Sequence, residues 1–158
     1  MRVGLISPVW FPVPPTGYGG IEWIVWLLAD ALVDAGHDVT LFASGDSHTK
    51  AKLASVYETA PSELIGTSIV ELHHCLACYE RATEFDVIND HSGLAAAALG
   101  GAVATPTLHT VHGPLDANVP LPVERADPGQ AEGAAGPRRQ LLRRVRHELV
   151  PPPVRLEP

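Results

Sequence analysis

The sequence predicts an α/β fold built on a doubly wound parallel sheet. Short apolar runs of the kind that form buried parallel strands alternate with stretches whose apolar residues recur at helical spacing. Strand–helix–strand connections of this kind place neighbouring strands parallel in one sheet. Polar residues collect where the apolar runs end, which is the edge at which ligands of open α/β sheets usually bind.

The first 44 residues predict a strand, a loop, a helix and a second strand. The run MRVGLIS ends near Ser7, because the prolines and glycines of VWFPVPPTGYGG fit no regular element. A helix then begins at Ile21, and Gly36 closes it as a left-handed C-cap. The second strand is VTLFA. The helix is expected to bury one face made by Ile24, Val25, Leu28, Ala31, Leu32 and Ala35.

The middle of the chain predicts a polar loop, a short strand and a second helix. SGDSHTKA follows the second strand and lies at the carboxyl end of the sheet. A short strand is expected near residues 54–57. Thr67 or Ser68 then begins a helix that continues through Ala82, with Glu71 as the partner of Ser68 in a capping box.

Two further strands each lead to a histidine. The run over residues 85–89 predicts a third parallel strand, and His91 follows it. An alanine-rich helix over residues 93–99 ends at Gly100 and its glycine neighbour. The run TLHTVHG predicts another strand, which finishes on His112. Both histidines are therefore expected at the same edge of the sheet.

Charge divides the chain into two segments. The net charge of -7 argues against a nucleic acid or an anionic membrane as partner. Residues 1–119 hold 13 acidic and 4 basic residues, whereas residues 120–158 hold 5 acidic residues, 7 arginines and 8 of the 15 prolines. We therefore predict a Rossmann-like domain over residues 1–119 and a Pro/Arg/Ala-rich tail over residues 120–158 that is disordered, truncated or read out of frame.

The same features predict a cytoplasmic protein without a transmembrane segment. The longest apolar run, residues 21–33, is broken by Glu22 and Asp30 and is shorter than a bilayer requires. Prolines interrupt the apolar N-terminus, so a signal peptide is not expected. Cys75 and Cys78 are too few for a disulfide framework.

Gly19 and Gly20 stand where a loop meets the start of a helix. Backbone N–H groups and the helix dipole can face an anion or a sugar hydroxyl there, and a plain turn is the alternative. The dinucleotide fingerprint GxGxxG is absent, because Glu22 occupies its third glycine position, so hydride transfer is disfavoured. Glu22 itself is interpreted as a first-turn acid that stabilises the helix.

The histidines and cysteines of the second predicted helix suggest zinc, but the spacing is unsuitable. His73 and His74 are adjacent, so they point to different helix faces, and no metal site is predicted. Cys75 and Cys78 lie inside the helix, whereas a redox CxxC pair lies at a helix start.

Three stretches together resemble a known family. VGLISPVWFPVPPTGYGGIEWIVWLLADALVDAGHDVTLFASGDS, FDVINDHS and TLHTVHGPL occur in the order of the N-terminal half of family 4 retaining glycosyltransferases with the GT-B architecture. The resemblance covers residues 1–117. It implies a single Rossmann-like N-terminal half of a GT-B enzyme, on the acceptor side of the cleft between two domains.

The resemblance also implies roles for individual residues. Gly19 and Gly20 would line the cleft near the donor diphosphate and the acceptor, with Gly113 in the same substrate-binding set. His112 would approach the transferred sugar, and His91 would face the cleft. The alternative for His112 is a histidine that only completes hydrogen bonds at a strand end.

The implied reaction transfers a sugar from a nucleotide-diphosphate sugar to an acceptor hydroxyl with retention, without a cofactor. The leaving phosphate accepts the proton, and the protein supplies position and electrostatics. The donor-binding motifs of the second domain have no counterpart here, so the chain is expected to be inactive alone and to need such a domain. A non-catalytic nucleotide- or carbohydrate-binding module and half of a split enzyme are the alternatives.

Overall fold

The computed structural model of the chain describes residues 1–112, the side chains of residues 94 and 95 excepted. These residues form five parallel strands in one sheet. The strands are β1 (Arg2–Ile6), β2 (Asp38–Phe42), β3 (Lys52–Ala54), β4 (Val87–Asp90) and β5 (Thr107–His109). Their order is β3-β2-β1-β4-β5. The chain therefore winds away from the central β1 in both directions, and the switch point lies between β1 and β4.

Helices cover both faces of the sheet. They are α1 (Gly20–Asp34), α2 (Ser68–Tyr79) and α3 (Leu94–Ala102), with short 3-10 turns at Ser62–Leu64 and Ala82–Glu84. Adjacent residues of a strand point to opposite faces. Leu5 accordingly packs in the cluster with α1, and Ile6 packs in the cluster with α2 and α3. The predicted doubly wound, Rossmann-like α/β fold is confirmed.

The buried face of α1 differs from the predicted one. Val25, Ala29 and Leu32 point into the core, while the side chain of Ile24 is 50% exposed. Ala31 and Ala35 are exposed as well. The first half of α1 is apolar nearly all round, so helical spacing alone does not identify which stripe meets the sheet.

Several element bounds differ from the prediction. The third strand lies at residues 52–54 rather than near residues 54–57. α2 ends at Tyr79 instead of continuing through Ala82, β4 spans Val87–Asp90 instead of residues 85–89, and β5 ends at His109 instead of His112. α3 does not stop at Gly100 but continues to Ala102. A Cβ atom at Gly100 would lie 2.9 Å from the Cγ2 atom of Thr107, so this glycine lets α3 pack closely against β5 instead of ending the helix.

The capping box predicted at the start of α2 does not form. Thr67 is the N-cap residue, and its side chain makes no capping hydrogen bond. The Glu71 carboxylate instead accepts a hydrogen bond of 2.8 Å from the backbone N–H of Gly93. Glu71 therefore ties the start of α3 to α2. Gly36, in contrast, has the predicted left-handed conformation after α1, with φ of 83°.

Candidate functional site

The carboxyl ends of β1, β4 and β5 meet at one edge of the sheet. The backbone N–H of His91 donates to the carbonyl oxygen of Ile6 over 2.9 Å. The N–H of Thr110 donates to the carbonyl oxygen of Asp90 over 2.7 Å. These bonds extend the parallel register past the strand ends. The loops that hold His91 and His112 therefore start side by side.

His91 and His112 contact each other directly. The Nδ1 atom of His91 lies 2.8 Å from the Nε2 atom of His112, and the rings stack with centroids 5.1 Å apart. Burial, followed by the neighbouring His112, lowers the pKa of His91 to about 4. Burial and the nearby His109 also lower the pKa of His112. Both imidazoles are therefore neutral at pH 7, so each one can donate and accept a hydrogen bond.

Several buried polar atoms at this edge have no hydrogen-bond partner among the described residues. An unpaired buried polar atom costs about 1–3 kcal/mol, so such a group marks a place where a polar ligand or water completes the site. The atoms are Ser7 Oγ, Asn89 Oδ1, His91 Nε2 and His109 Nε2.

The two glycines at the start of α1 have different roles. Gly19 has φ of 146°, and a Cβ atom there would lie 2.7 Å from the Cγ atom of Pro15. A Cβ atom at Gly20 would meet nothing within 4 Å. Gly19 is therefore needed for the shape of the loop. Gly20 opens the first turn of α1, where N–H groups have no partner inside the helix.

The loop that leads to Gly19 is held by the loop after β2. The Ser47 hydroxyl accepts a hydrogen bond of 2.9 Å from the N–H of Val13 and lies 3.3 Å from the Ser44 hydroxyl oxygen. The N–H of His48 donates to the carbonyl oxygen of Val13 over 2.6 Å. The predicted polar loop after β2 thus lies at the carboxyl edge, where it orders the neighbouring loop.

Glu22 lies in the first turn of α1, as predicted, but it is buried. Its side chain packs against Gly19, where a Cβ atom would come within 3.0 Å of the carboxylate Oε2 atom. Only 3% of the residue is exposed, and burial raises the pKa of its carboxyl group.

His74, Cys75 and Cys78 of α2 are buried in the interior, whereas His73 is exposed. His74 is buried, and its Nε2 atom donates to the carbonyl oxygen of Ser7 over 3.0 Å. His73 instead contacts the Tyr57 hydroxyl. Cys75 and Cys78 are unpaired and buried, and burial raises the pKa of both thiols. Over residues 1–112, no group of three or more His, Cys, Asp or Glu side chains is arranged to hold a metal ion.

The Lys and Arg side chains of the described part are all paired with carboxylates. Residues 1–112 contain four Lys and Arg side chains, and each is bridged to a carboxylate. Arg2 and Lys52 begin β1 and β3, at the amino ends of the strands. A pocket of about 320 Å³ lies among these side chains, at the amino ends of the strands. His91 and His112 lie at the opposite, carboxyl ends.

The remaining predicted positions lie outside the described residues. Gly113 comes directly after the described residues, and the predicted tail over residues 120–158 lies further along the chain. None of the helices that the structure describes is long and apolar enough to cross a membrane.

The comparison with protein families decides the membership of this chain. The family model named Glycosyltransferase Family 4 matches residues 18–151, which include both histidines and the start of α1. The chain belongs to glycosyltransferase family 4. This match confirms the resemblance found in the sequence, and it continues past residue 119 into the predicted tail.

Two relatives of the family 4 chain are known proteins of much greater length. A phosphatidyl-myo-inositol mannosyltransferase from Mycolicibacterium smegmatis is 42% identical over 50 residues, which are 32% of this chain and 12% of that enzyme. AviGT4, a glycosyltransferase involved in avilamycin A biosynthesis, has a crystal structure that matches this chain with 26% sequence identity and a TM-score of 0.42. That comparison covers 71% of this chain and 32% of AviGT4.

Sequence reasoning missed two residues of this candidate site. Asp90 was not singled out, and Ser47 was only a member of the predicted polar loop SGDSHTKA. The hydrogen bonds that define their roles join residues far apart in the chain. A polar residue directly after an apolar run was the available signal for Asp90, and nothing in the sequence singled out Ser47.

Proposed function

We propose that the chain is the acceptor-side, N-terminal half of a retaining GT-B glycosyltransferase. In this proposal it helps to move a sugar from a nucleotide-diphosphate sugar to an acceptor hydroxyl. Membership of family 4 supports glycosyl transfer. The contact between His91 and His112, at the edge of the sheet where α1 begins, is the observation that carries the proposal for this site.

The two histidines suit a role in binding the transferred sugar. Because both rings are neutral at pH 7, they can donate to and accept from sugar hydroxyl groups without placing a positive charge in the site. The bond between them uses one nitrogen of each ring. The other nitrogens have no hydrogen-bond partner among residues 1–112. His112 is exposed, so its Nδ1 atom can reach a substrate, whereas His91 Nε2 is buried behind it. Fixed donors of this kind stabilise charge that develops in the transition state.

The first turn of α1 suits the donor diphosphate. Gly20 leaves open space beside N–H groups that have no partner inside the helix. The positive end of the helix dipole favours a negative ligand at this position. The buried Glu22 opposes this attraction when it is ionised, and burial raises the pKa of its carboxyl group. The backbone therefore supplies the main attraction for phosphate in this half.

The described half needs a second domain for activity. A diphosphate leaving group requires positive charge, and every Lys and Arg of residues 1–112 is already bridged to a carboxylate. We infer that the cations come from outside residues 1–112, and that a second GT-B domain provides most of the donor contacts. The unpaired cysteines support action in the reducing cytoplasm.

Turnover and binding experiments test this proposal together. The purified 158-residue chain should turn over no nucleotide-diphosphate sugar, whereas the chain joined to a second GT-B domain of family 4 should transfer sugar. Turnover by the chain alone would contradict the need for a second domain. Calorimetric binding without turnover in the joined form would instead favour a non-catalytic binding module. The absence of both binding and turnover in the joined form would exclude the proposed function.

A further inference from the structure

Asp90 is a buried carboxylate that pairs with no Lys or Arg side chain among the described residues. The residue is 0% exposed, and none of the four described Lys and Arg side chains reaches it. Burial opposes ionisation, yet the contacts with His109, Ser92 and Tyr79 hold the pKa of Asp90 below its usual value. A buried charge is costly. Asparagine has a single acceptor oxygen, whereas Asp90 accepts hydrogen bonds on both of its oxygens. The carboxylate is therefore needed to hold both sets of donors at once.

The side chain of Asp90 organises the loop that holds His91. Its Oδ1 atom accepts a hydrogen bond of 2.8 Å from the backbone N–H of Ser92 and a second, short bond from the Ser92 hydroxyl. These two bonds close a turn around His91, the residue between them. The Cys75 thiol donates to the same Ser92 hydroxyl over 3.2 Å, which anchors the turn on α2.

Asp90 also reaches the strand that leads to His112. Its Oδ2 atom accepts a hydrogen bond of 2.6 Å from the Tyr79 hydroxyl and lies 3.3 Å from the Nδ1 atom of His109. The separation from His109 suits an ion pair, although the angle is not that of a hydrogen bond. His109 is the last residue of β5. One carboxylate thus links α2, the turn at His91 and the strand end before His112.

We propose that Asp90 is a positioning residue that holds His91 and His112 in contact. The meaning of this contact for catalysis rests on the proposed function, whereas the positioning does not. Asp90 touches no substrate in this account and acts through the two histidines. Its negative charge also favours a proton on His91, against the effects of burial, His112 and His109.

Histidine-selective nuclear magnetic resonance of the full 158-residue chain tests this proposal. In the wild type, ring protons of His91 and His112 should show nuclear Overhauser effects to each other. Asp90→Asn should abolish these effects and move the titration midpoint of His91 downward, because the charge is lost. Thr105→Val is the matched control, since it removes a buried hydrogen bond to Ala82 without touching Asp90, and it should leave both signals unchanged.

Each outcome decides the proposal. A folded Asp90→Asn variant with wild-type ring contacts and midpoint overturns it. If Asp90→Asn does not fold, Tyr79→Phe decides, because it removes one donor to Oδ2 and keeps the ring in the core. Loss of the His91–His112 contact in Tyr79→Phe supports the proposal, and an unchanged contact overturns it. Glycosyl transfer is not measured, so failure of the proposed function would leave this result intact.

Discussion

His91 and His112 lie 21 positions apart in the chain, yet a nitrogen of one ring is 2.8 Å from a nitrogen of the other. The parallel pairing of Asp90 with His109 places the two loops side by side. The buried ring of His91 packs face to face with the exposed ring of His112. His91 is therefore expected to fix the orientation of His112, the ring that can reach a substrate.

Replacement of His112 by alanine should strongly reduce glycosyl transfer in the chain joined to its second domain. Loss of one fixed donor to a transition state typically lowers kcat by about 100-fold or more. Initial rates with a nucleotide-diphosphate sugar would measure the effect. His73→Ala is a suitable control, because His73 is exposed on α2 and contacts only Tyr57 in the hydrogen-bond network. A His112→Ala rate close to that of the control would remove His112 from the site.

The two histidines should not act independently. If His91 orients His112, then His91→Ala should lower kcat, and the double variant should lose less than the sum of the two single losses. Rates of the four proteins in a double-mutant cycle give the coupling directly. Strict additivity of the two effects on the activation free energy would show that the contact has no part in the reaction.

Gly19 and Gly20 should respond differently to alanine. Gly19→Ala forces a side chain into a conformation with φ of 146° and against Pro15, so the free energy of unfolding should fall by roughly 1–3 kcal/mol. Gly20→Ala has room for its methyl group and should fold normally. Urea denaturation measures the first effect.

The methyl group of Gly20→Ala should nevertheless obstruct a ligand at the first turn of α1. Calorimetry with a nucleotide-diphosphate sugar should show weaker binding to the joined form of this variant than to the wild type. Unchanged affinity would mean that no ligand approaches this turn closely.

Ser47→Ala should loosen the loop that leads to Gly19. The variant leaves the N–H of Val13 without its partner, and an unpaired buried group costs about 1–3 kcal/mol. Urea denaturation of the 158-residue chain would detect the loss. Ser55→Ala, at an exposed position, is the control. Equal stability of the two variants would show that Ser47 does not hold the loop.

The stability of the fold should fall in mild acid because of His74. Burial lowers the pKa of His74 from 6.5 to about 4, so the folded protein keeps this ring neutral. The unfolded chain binds the proton more readily. The contribution is therefore complete above pH 6.5 and is lost as the pH falls towards 4, by roughly 3 kcal/mol in all. His91, with a similarly lowered pKa, adds in the same direction.

Thermal unfolding at pH 7.5 and pH 4.5 measures this dependence. His74→Gln cannot titrate, so its Tm should change less between the two pH values than the Tm of the wild type. A variant with the same pH dependence as the wild type would mean that the His74 ring is already protonated in the folded state.

Local patterns predicted the elements that depend on local interactions. The strands at Arg2–Ile6 and Asp38–Phe42 coincide with apolar runs bounded by loops, and Gly36 caps α1 because only a glycine adopts its left-handed conformation readily. The placement of His91 and His112 at one edge of the sheet also followed from the sequence, whereas their direct contact did not. Parallel strands present their carboxyl ends at one edge, whatever the packing around them.

Features that depend on distant contacts were not predictable in the same way. The glycine at position 100 resembles a helix stop, but its role comes from the approach of Thr107. Glu71 has the spacing of a capping box, yet Gly93 offers its carboxylate a donor from another helix. The bonds between Asp90 and Ser92 are local, but the bond from the Tyr79 hydroxyl comes from α2, and no short pattern records that contact.

The two cysteines of α2 provide a chemical reporter within the chain. Their thiols are buried between α2 and the sheet, and burial raises the pKa of both. Iodoacetamide reacts with the thiolate, so alkylation requires α2 to separate from the sheet and admit water. The labelling rate of Cys75 and Cys78 therefore measures how often α2 separates from the sheet next to Asp90, and no reporter residue has to be introduced.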